Sequence, residues 1–166
     1  AAVGDFFGNS VSISGSTAIV GSSRDQDAGT NSGSAYIFQY QPSTDTWVET
    51  KLVASDASSQ DRFGKSVAIS GQTALVGAFY DGGGSKGGAY FYQYQPSTDT
   101  WVETKKSASD GVSGDNFGNK VAISGQTAII GANNADPNGS SSGSAYIYQY
   151  DPNTDVWVET KLTASD

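Results

Sequence analysis

The chain contains no cysteine, no methionine and no histidine, and only 16% of its 166 residues are charged. Without histidine or cysteine it has no imidazole acid–base pair, no thiol nucleophile and no imidazole or thiolate metal ligand. The absence of cysteine does not argue against secretion, because a repeat array builds its core without disulfides. Many small polar residues and no oxidisable sulfur favour an extracellular or cell-surface location.

Long apolar runs and clustered basic residues are also missing. No run of about 18 apolar residues exists, so we expect no membrane insertion. The 9 Lys and Arg are outnumbered by 17 Asp and Glu, and the formal net charge is −8. Because a phosphate backbone is bound by clustered Lys and Arg, this balance argues against nucleic-acid partners. The sequence begins without Met or a basic, apolar signal segment, which is typical of a mature product or of a piece of a longer chain.

What the chain does contain is one unit written three times. Each unit opens with Asp-x-Phe-Gly, passes through Ser-Gly-(Ser/Gln)-Thr and a polar loop, and closes with Trp-Val-Glu-Thr-Lys and Ala-Ser-Asp. The closing aspartates are Asp56, Asp110 and Asp166, at spacings of 54 and 56 residues. The repeat units are therefore residues 1–56, 57–110 and 111–166. A fixed period of this size is typical of propellers, solenoids or arrays.

The second unit shows the expected strands most clearly. Ser66–Ser70 and Thr73–Ala78 are short β-rich runs joined by a tight turn that contains glycine. Ala89–Gln95 alternates tyrosine with other residues. Trp101–Lys105 follows a Pro-Ser-Thr-Asp turn, in which we expect the aspartate to bond the backbone. No window has convincing helical periodicity, and we predict an all-β fold of three four-stranded antiparallel β-propeller blades.

The repeated sequence resembles a known blade. In the second unit it has Phe-Gly, then Ser-Val-Ala-Ile-Ser-Gly, Val-Gly-Ala and Gly-x-Ala-Tyr, which resembles the FG-GAP repeat, and the likeness extends from about Gly4 to Asp166. The resemblance implies the blade of integrin-α-type propellers and of many bacterial and algal surface proteins. Integrin-type blades often carry an acidic calcium loop between their first two strands. That position here holds Ser-Gly-Ser or Ser-Gly-Gln, so the calcium site of the family is not carried over.

Three blades are incomplete as a closed ring, since propellers typically have four to eight blades. The two terminal sheets would expose faces that are built to be buried, and exposed apolar patches of this kind usually mark an interface. Four residues separate Asp56 from Asp61, and four separate Asp110 from Asp115, so the units follow one another in register. We expect copies of the chain to associate through their end blades, as an open fibre, a long array or a six-bladed ring from two chains.

The acidic residues that could form a glycosidase dyad recur in every unit. They are the turn aspartates Asp45, Asp99 and Asp155 and the strand glutamates Glu49, Glu103 and Glu159. Because a catalytic dyad is normally unique in a domain, we assign these residues turn and surface roles. The aspartates before Phe-Gly are expected to bond local backbone amides. The sequence therefore predicts a structural or adhesive module that is not an enzyme.

The loops between the second and third strands differ among units, which is where a shared scaffold carries specific function. Asn134, Asp136 and Asn138 alternate oxygen ligands like the start of a calcium loop, and Asp25 with Asp27 is a poorer version. The acid expected at the twelfth position of such a loop is absent, and a flexible polar loop is the alternative. Asn138 also begins an Asn-Gly-Ser glycosylation sequon.

Three tryptophans follow the tyrosine-rich strands and suggest glycan binding as an alternative function: Trp47, Trp101 and Trp157. Aromatic faces stack on sugars, which would make the module a lectin-like propeller with glycan sites at its loops or blade junctions. Aromatic residues at period two are also what sheet-on-sheet packing uses. Core packing is the favoured interpretation, with extracellular glycans or proteins as the alternative partners.

Overall fold

The structure, a computed structural model, describes residues 2–165; Ala1 and Asp166, which bound the first and third repeat units, lie outside the described residues. In this part of the chain, twelve strands form three separate four-stranded sheets. Strand order in each sheet follows chain order, and neighbouring strands are antiparallel. The predicted all-β fold of three four-stranded blades, none closed into a barrel, is confirmed.

Each blade occupies one repeat unit. The first consists of β1 (Phe7–Ser14), β2 (Thr17–Ser22), β3 (Ser34–Gln41) and β4 (Thr46–Leu52). The second consists of β5 (Ser66–Ser70), β6 (Thr73–Ala78), β7 (Gly88–Gln95) and β8 (Thr100–Lys106). The third consists of β9 (Phe117–Ser124), β10 (Thr127–Ala132), β11 (Ser144–Asp151) and β12 (Val156–Leu162). The two strands predicted around the glycine turn match β5 and β6 residue for residue.

Turn chemistry fixes the register of the strands. Gly71 has a φ of 56° between β5 and β6, a conformation that glycine adopts without steric cost, and Ser70 pairs with Thr73 across the turn. In the turn between β7 and β8, Asp99 has a φ of 54° and accepts a hydrogen bond from the Tyr94 hydroxyl at 2.7 Å. This aspartate therefore binds a tyrosine side chain, instead of the backbone group expected from the sequence.

The hydrophobic core lies between neighbouring blades. We call the side of a blade that meets the preceding unit its leading face, and the side that meets the next unit its trailing face. At the first junction, trailing residues of the first blade (Ile19, Ala35, Ile37, Leu52, Ala54) pack on leading residues of the second (Phe63, Val67, Ile69, Ala74, Val76, Ala78, Tyr90, Tyr92). At the second junction, Leu75, Ala89, Phe91 and Ala108 pack on Phe117, Ala128, Ile130, Ala132, Tyr146 and Tyr148. Successive residues of β7 thus face opposite junctions, so that both faces of this strand are buried.

Candidate interaction surfaces at the open ends

Each interior junction is closed by the phenylalanine of a Phe-Gly pair. Phe63 and Phe117 are fully buried. The backbone of Phe63 forms a parallel bridge with Gly33 of the preceding blade, and Phe117 forms one with Gly87. A Cβ on Gly33 would lie 2.1 Å from the carbonyl oxygen of Phe63, and one on Gly87 would lie 2.0 Å from that of Phe117. Both junctions therefore require glycine at this position.

A second pair of glycines brings the backbones of neighbouring blades together. A Cβ on Gly21 would lie 2.0 Å from the carbonyl oxygen of Gly64 in the next blade. A Cβ on Gly77 would lie 2.0 Å from the carbonyl oxygen of Gly118. Because the contact is with backbone, a side chain at either position cannot be accommodated by a rotamer change. Gly21, Gly33, Gly77 and Gly87 are thus explained by backbone contacts between blades.

Serine hydroxyls on the first strand of a blade accept hydrogen bonds from amides of the next blade. At the first junction, Ser10, Ser12 and Ser14 accept bonds from the amides of Val67, Ile69 and Gly71 at 3.0, 3.2 and 3.0 Å. At the second, Ser66 and Ser70 accept bonds from Val121 and Gly125 at 3.0 and 2.9 Å. The first strand of each blade pairs with a neighbouring strand along one edge only. These bonds satisfy amide groups at its other edge and at the turn that follows it.

The Ala-Ser-Asp segment that closes a unit is held by the next blade. Glu103 accepts hydrogen bonds from the amide of Ser55 at 3.2 Å and from its hydroxyl at 2.6 Å. Asp56 accepts bonds from the Tyr90 hydroxyl at 2.8 Å and from the Lys105 ammonium at 2.6 Å. The second junction repeats the arrangement, with Glu159 on Ser109, and Tyr146 and Lys161 on Asp110.

The closing aspartates are kept ionised by these partners. Burial raises the pKa of Asp56, but hydrogen bonds from Lys105 and Tyr90 outweigh it, and the pKa lies below its ordinary value. Hydrogen bonds from Lys161 and Tyr146 likewise lower the pKa of Asp110. Each junction therefore contains a charge-assisted contact between a closing aspartate and the following blade.

No blade formed by residues 2–165 lies against the leading face of the first blade. Phe7, which corresponds to Phe63 and Phe117, is 47% exposed. Val11 and Ile13 are each 67% exposed, although their counterparts in the second blade are 5% exposed. This face therefore presents to solvent the side chains that line the interior junctions.

The trailing face of the third blade is open in the same way. Ile129 and Leu162 are 40% and 44% exposed, whereas Ile19 and Leu52, their counterparts in the first blade, are buried. Ile129 and Ile147 line a shallow apolar hollow of about 250 Å³. The described chain thus has a complementary half of the interior junction at each end.

Contacts that are made at the interior junctions lack partners at these ends. Gly131 and Gly143 correspond to Gly77 and Gly87, but a Cβ on either would meet no atom closer than 3.6 Å. Glu49 corresponds to Glu103 and is exposed. Glu103 accepts hydrogen bonds from Ser55, but no serine among residues 2–165 donates such bonds to Glu49. The polar half of a junction is therefore present at the leading face without the segment that it would hold.

The predicted calcium ligands Asp25 and Asp27 lie beside Lys51. Buried Asp25 accepts hydrogen bonds from Lys51 at 2.8 Å, Ser34 at 2.9 Å and Tyr36 at 3.0 Å, and Asp27 accepts one from Lys51 at 2.5 Å. Burial raises the pKa of Asp25, but these bonds outweigh it and lower the pKa to about 2. The Lys51 ammonium would compete with a cation at this position, and calcium binding here stays a prediction.

The other predicted ligands each have a hydrogen-bond partner of their own. Asn134 accepts a bond from the neighbouring asparagine, Asp136 accepts one from the Ser141 amide, and Asn138 donates one to the Ala164 carbonyl at 2.9 Å. Across residues 2–165, no group of three or more Asp, Glu, His or Cys side chains is placed to hold a metal ion. Asn138 is exposed, and its glycosylation stays a prediction.

Two of the three tryptophans pack on the preceding blade. Trp157 stacks on Phe91 with ring centroids 4.2 Å apart, and Trp101 packs against the core of the first junction. Trp47 lies in the first blade, against which residues 2–165 place no preceding blade, and it is 49% exposed beside Tyr40. Glycan stacking on these rings stays a prediction, and Trp47 is the ring most accessible to a sugar.

The aspartates that precede Phe-Gly bond backbone amides, as the sequence predicted. The bonds run from the amides of Ala2, Ser58 and Val112 to Asp5, Asp61 and Asp115, respectively. Asp61 also lines a cavity of about 700 Å³ at the first junction, together with Asp56, Asp81 and Lys105. Burial raises the pKa of Asp61, and the negative charge of Asp81 adds to the shift. Lys105 neutralises the other two carboxylates at 2.6 and 2.5 Å, so this charge cluster serves the junction itself.

The repeated sequence unit matches a known sequence family. The model of the FG-GAP repeat matches residues 1–38, 47–92 and 101–148. The chain belongs to the FG-GAP repeat family. The second and third FG-GAP matches each run from the last strand of one blade to the third strand of the next, so that each spans the connection between two successive blades. No curated protein matches the chain.

Family membership makes the chain a propeller-type repeat module. FG-GAP repeats are typical of extracellular and cell-surface proteins. Between residues 2 and 165, the structure has no helix with the length and apolar character needed to cross a membrane.

Proposed function

We propose that this FG-GAP module is a non-enzymatic, extracellular structural protein that associates with copies of itself. The trailing face of the third blade would dock on the leading face of the first blade in a second copy. One observation carries the proposal: the two open faces present the counterparts of the two sides of each interior junction. Phe7 at one end and Gly143 at the other correspond to the bridged pairs Phe63 with Gly33 and Phe117 with Gly87.

A head-to-tail contact of this kind is heterologous, so that an open assembly keeps one free leading face at one end and one free trailing face at the other. Two copies that docked at both ends would form a ring of six blades, and copies that docked without closure would form a fibre. Both assemblies use the same contact and suit a structural or adhesive role. Near-identical blades favour polymerisation because equivalent blades make equivalent interfaces.

The contact between copies is expected to be weaker than the interior junctions. Lys120 and Ala122 stand where Ser10 and Ser12 accept amide hydrogen bonds at the first junction. Of the three serine positions, the third blade retains Ser124. The association should therefore depend on protein concentration within an accessible range.

Sedimentation velocity over a dilution series, with the unchanged chain and the Gly131→Ala variant measured side by side, tests the proposal. In the single chain the added methyl has room, but at a junction it would meet a backbone carbonyl, as a Cβ on Gly77 would. We expect the unchanged chain to associate as concentration rises, and Gly131→Ala to remain a monomer with an unchanged melting temperature. Ser97→Ala, in an exposed turn away from both faces, is the matched control. A chain that stays monomeric at millimolar concentration would refute the proposal.

A lectin-like function is the alternative, and the exposure of Trp47 beside Tyr40 is the observation that favours it. A glycan array probed with the unchanged chain and with Trp47→Ala separates the two functions. Saturable binding to defined glycans that is lost in Trp47→Ala would support the lectin. Loss of self-association without any glycan signal would instead assign Trp47 to the contact between copies.

A further inference from the structure

We propose that the first blade carries a receptor for an Ala-Ser-Asp segment, and that its occupant is Ala164-Ser165-Asp166 of a second copy. We call the receptor, formed by Tyr36, Glu49 and Lys51, the open clamp. The inference rests on the proposed self-association, for which it names the polar contact that determines specificity. The clamps of the second and third blades are filled by the Ala-Ser-Asp segments of the units before them.

The lysine and tyrosine of the open clamp have the same relative placement as those of the filled clamps. Lys51 pairs with Tyr36 across β4 and β3, as Lys105 pairs with Tyr90 across β8 and β7. The ammonium of Lys51 lies 5.4 Å from the centre of the Tyr36 ring, and that of Lys105 lies 5.2 Å from the Tyr90 ring. Glu49 occupies the register position of a clamp glutamate, two residues before the lysine. The lysine–tyrosine pair is therefore in place before any partner arrives, and the Tyr36 hydroxyl, which donates to Asp25, would turn to the incoming carboxylate as Tyr90 does to Asp56.

A carboxylate of the same blade takes the place of the missing aspartate. Lys105 binds two aspartates, Asp81 of its own blade and Asp56 of the preceding unit. Lys51 binds Asp25, the counterpart of Asp81, and its second partner is Asp27. Asp27 is 74% exposed, so little stability is lost when it is displaced. Asp27 thus acts as a weak internal competitor for the clamp.

The chemistry of the occupant follows from the filled clamps. A clamp glutamate accepts hydrogen bonds from the amide and the hydroxyl of one serine, while the tyrosine and lysine bind the carboxylate of the next residue. Ala164 and Ser165 follow β12 at the same spacing as Ala54 and Ser55 follow β4, and both are exposed. Asp166, the next residue in the sequence, supplies the carboxylate. The sequence that follows β12 therefore contains the required groups in the required order.

The inference is tested by mixing two variants of the full chain, each disabled at one end. Glu49→Ala removes the hydrogen-bond acceptor of the open clamp. The double variant Ser165→Ala, Asp166→Asn removes the serine hydroxyl and the carboxylate that the clamp would bind. Glu49 and Ser165 are exposed, so the fold should be retained, which circular dichroism and melting temperature check for both variants. We expect each variant alone to associate at least tenfold more weakly than the unchanged chain in sedimentation velocity.

Mixing the two variants supplies one intact clamp and one intact segment. We expect the mixture to form a one-to-one heterodimer with a dissociation constant within about threefold of the unchanged contact, and no larger species. Asp27→Ala in the otherwise unchanged chain should tighten association severalfold, because the internal competitor is gone. Ser97→Ala again serves as the control that leaves association unchanged.

The outcomes separate this inference from the proposed function. If the unchanged chain associates but both variants associate equally well, the clamp assignment is overturned and self-association stands. If both variants are weakened but their mixture does not recover, the contact is not between a clamp and a segment, and the inference is again overturned. If the unchanged chain never associates, the proposed function fails and the inference fails with it.

Discussion

Phe7 packs edge-to-face on Tyr36 with ring centroids 5.3 Å apart, in the geometry that Phe63 adopts on Tyr90 at 5.2 Å. The interplanar angles, 73° and 74°, are also alike. The difference is that Phe63 is fully buried while Phe7 is 47% exposed. Each blade therefore builds its own half of a junction, and the preceding blade covers that half without rearranging it.

This relationship predicts unequal losses of stability for two matched substitutions. Phe63→Ala should destabilise the chain by about 3–5 kcal/mol, because it empties a fully buried site at the first junction. Phe7→Ala should cost about 1–2 kcal/mol at most, because much of the ring is already in water. In sedimentation, Phe7→Ala should nevertheless weaken association strongly. Urea unfolding of both variants measures the first difference, and equal losses of stability would contradict it.

The fold was largely predictable because turn chemistry and repeat period are local properties of the sequence. Ser66–Ser70 and Thr73–Ala78 were predicted from a glycine turn between β-rich runs, and the structure has strands with the same bounds. The contacts of Glu103 and Glu159 were not predictable in this way. Their partners, Ser55 and Ser109, lie 48 and 50 residues earlier in the chain, and the sequence contains no local signal for that pairing.

The recurrence of these glutamates was nevertheless a usable signal. Their repetition in every unit makes them poor catalytic candidates and predicts turn and surface roles. A residue that repeats in register with a Ser-Asp segment is also a candidate for contact between units. That reading needs the order of blades in space, which the structure supplies.

One difference between blades predicts a substitution that strengthens association. The hydroxyl of Tyr92 donates a hydrogen bond to Glu103 at 2.6 Å, and that of Tyr148 donates one to Glu159. Phe38 has the corresponding position in the first blade and lacks the hydroxyl. Phe38→Tyr should orient Glu49 and tighten association by about 1 kcal/mol, roughly fivefold in the dissociation constant. Phe38→Leu is the control, and a gain in that variant would show that packing, not the hydroxyl, is responsible.

The free energy of unfolding at acid pH should depend on Asp25. Its pKa is about 2 in the folded chain, below the ordinary value of 3.8, because the bonds from Lys51, Ser34 and Tyr36 outweigh the effect of burial. A lowered carboxyl pKa contributes stability that is complete above about pH 4 and is lost as the pH falls through about 2. The shift corresponds to about 2 kcal/mol.

Urea unfolding of the unchanged chain and of Asp25→Asn measures this contribution. The difference in unfolding free energy between them should be constant from pH 5 to 8 and shrink by about 2 kcal/mol between pH 4 and 2. Asp27→Asn is the matched control, because Asp27 is 74% exposed and its ion pair with Lys51 should contribute little to stability. A difference that does not change below pH 4 would show that Asp25 titrates alike in the folded and unfolded chain.

Lys120 gives the last prediction, because it breaks the serine series of the first strands. Ser10 and Ser66 each accept a hydrogen bond at 3.0 Å from a valine amide of the next blade, and Lys120 is exposed at the corresponding position. In the proposed contact, the facing amide would be that of Val11 in a second copy, and lysine cannot accept its hydrogen. Lys120→Ser should therefore tighten association by about 1 kcal/mol and leave the melting temperature of the single chain unchanged. Lys120→Ala removes the charge without adding an acceptor, and equal tightening in that variant would assign the effect of Lys120 to repulsion or bulk.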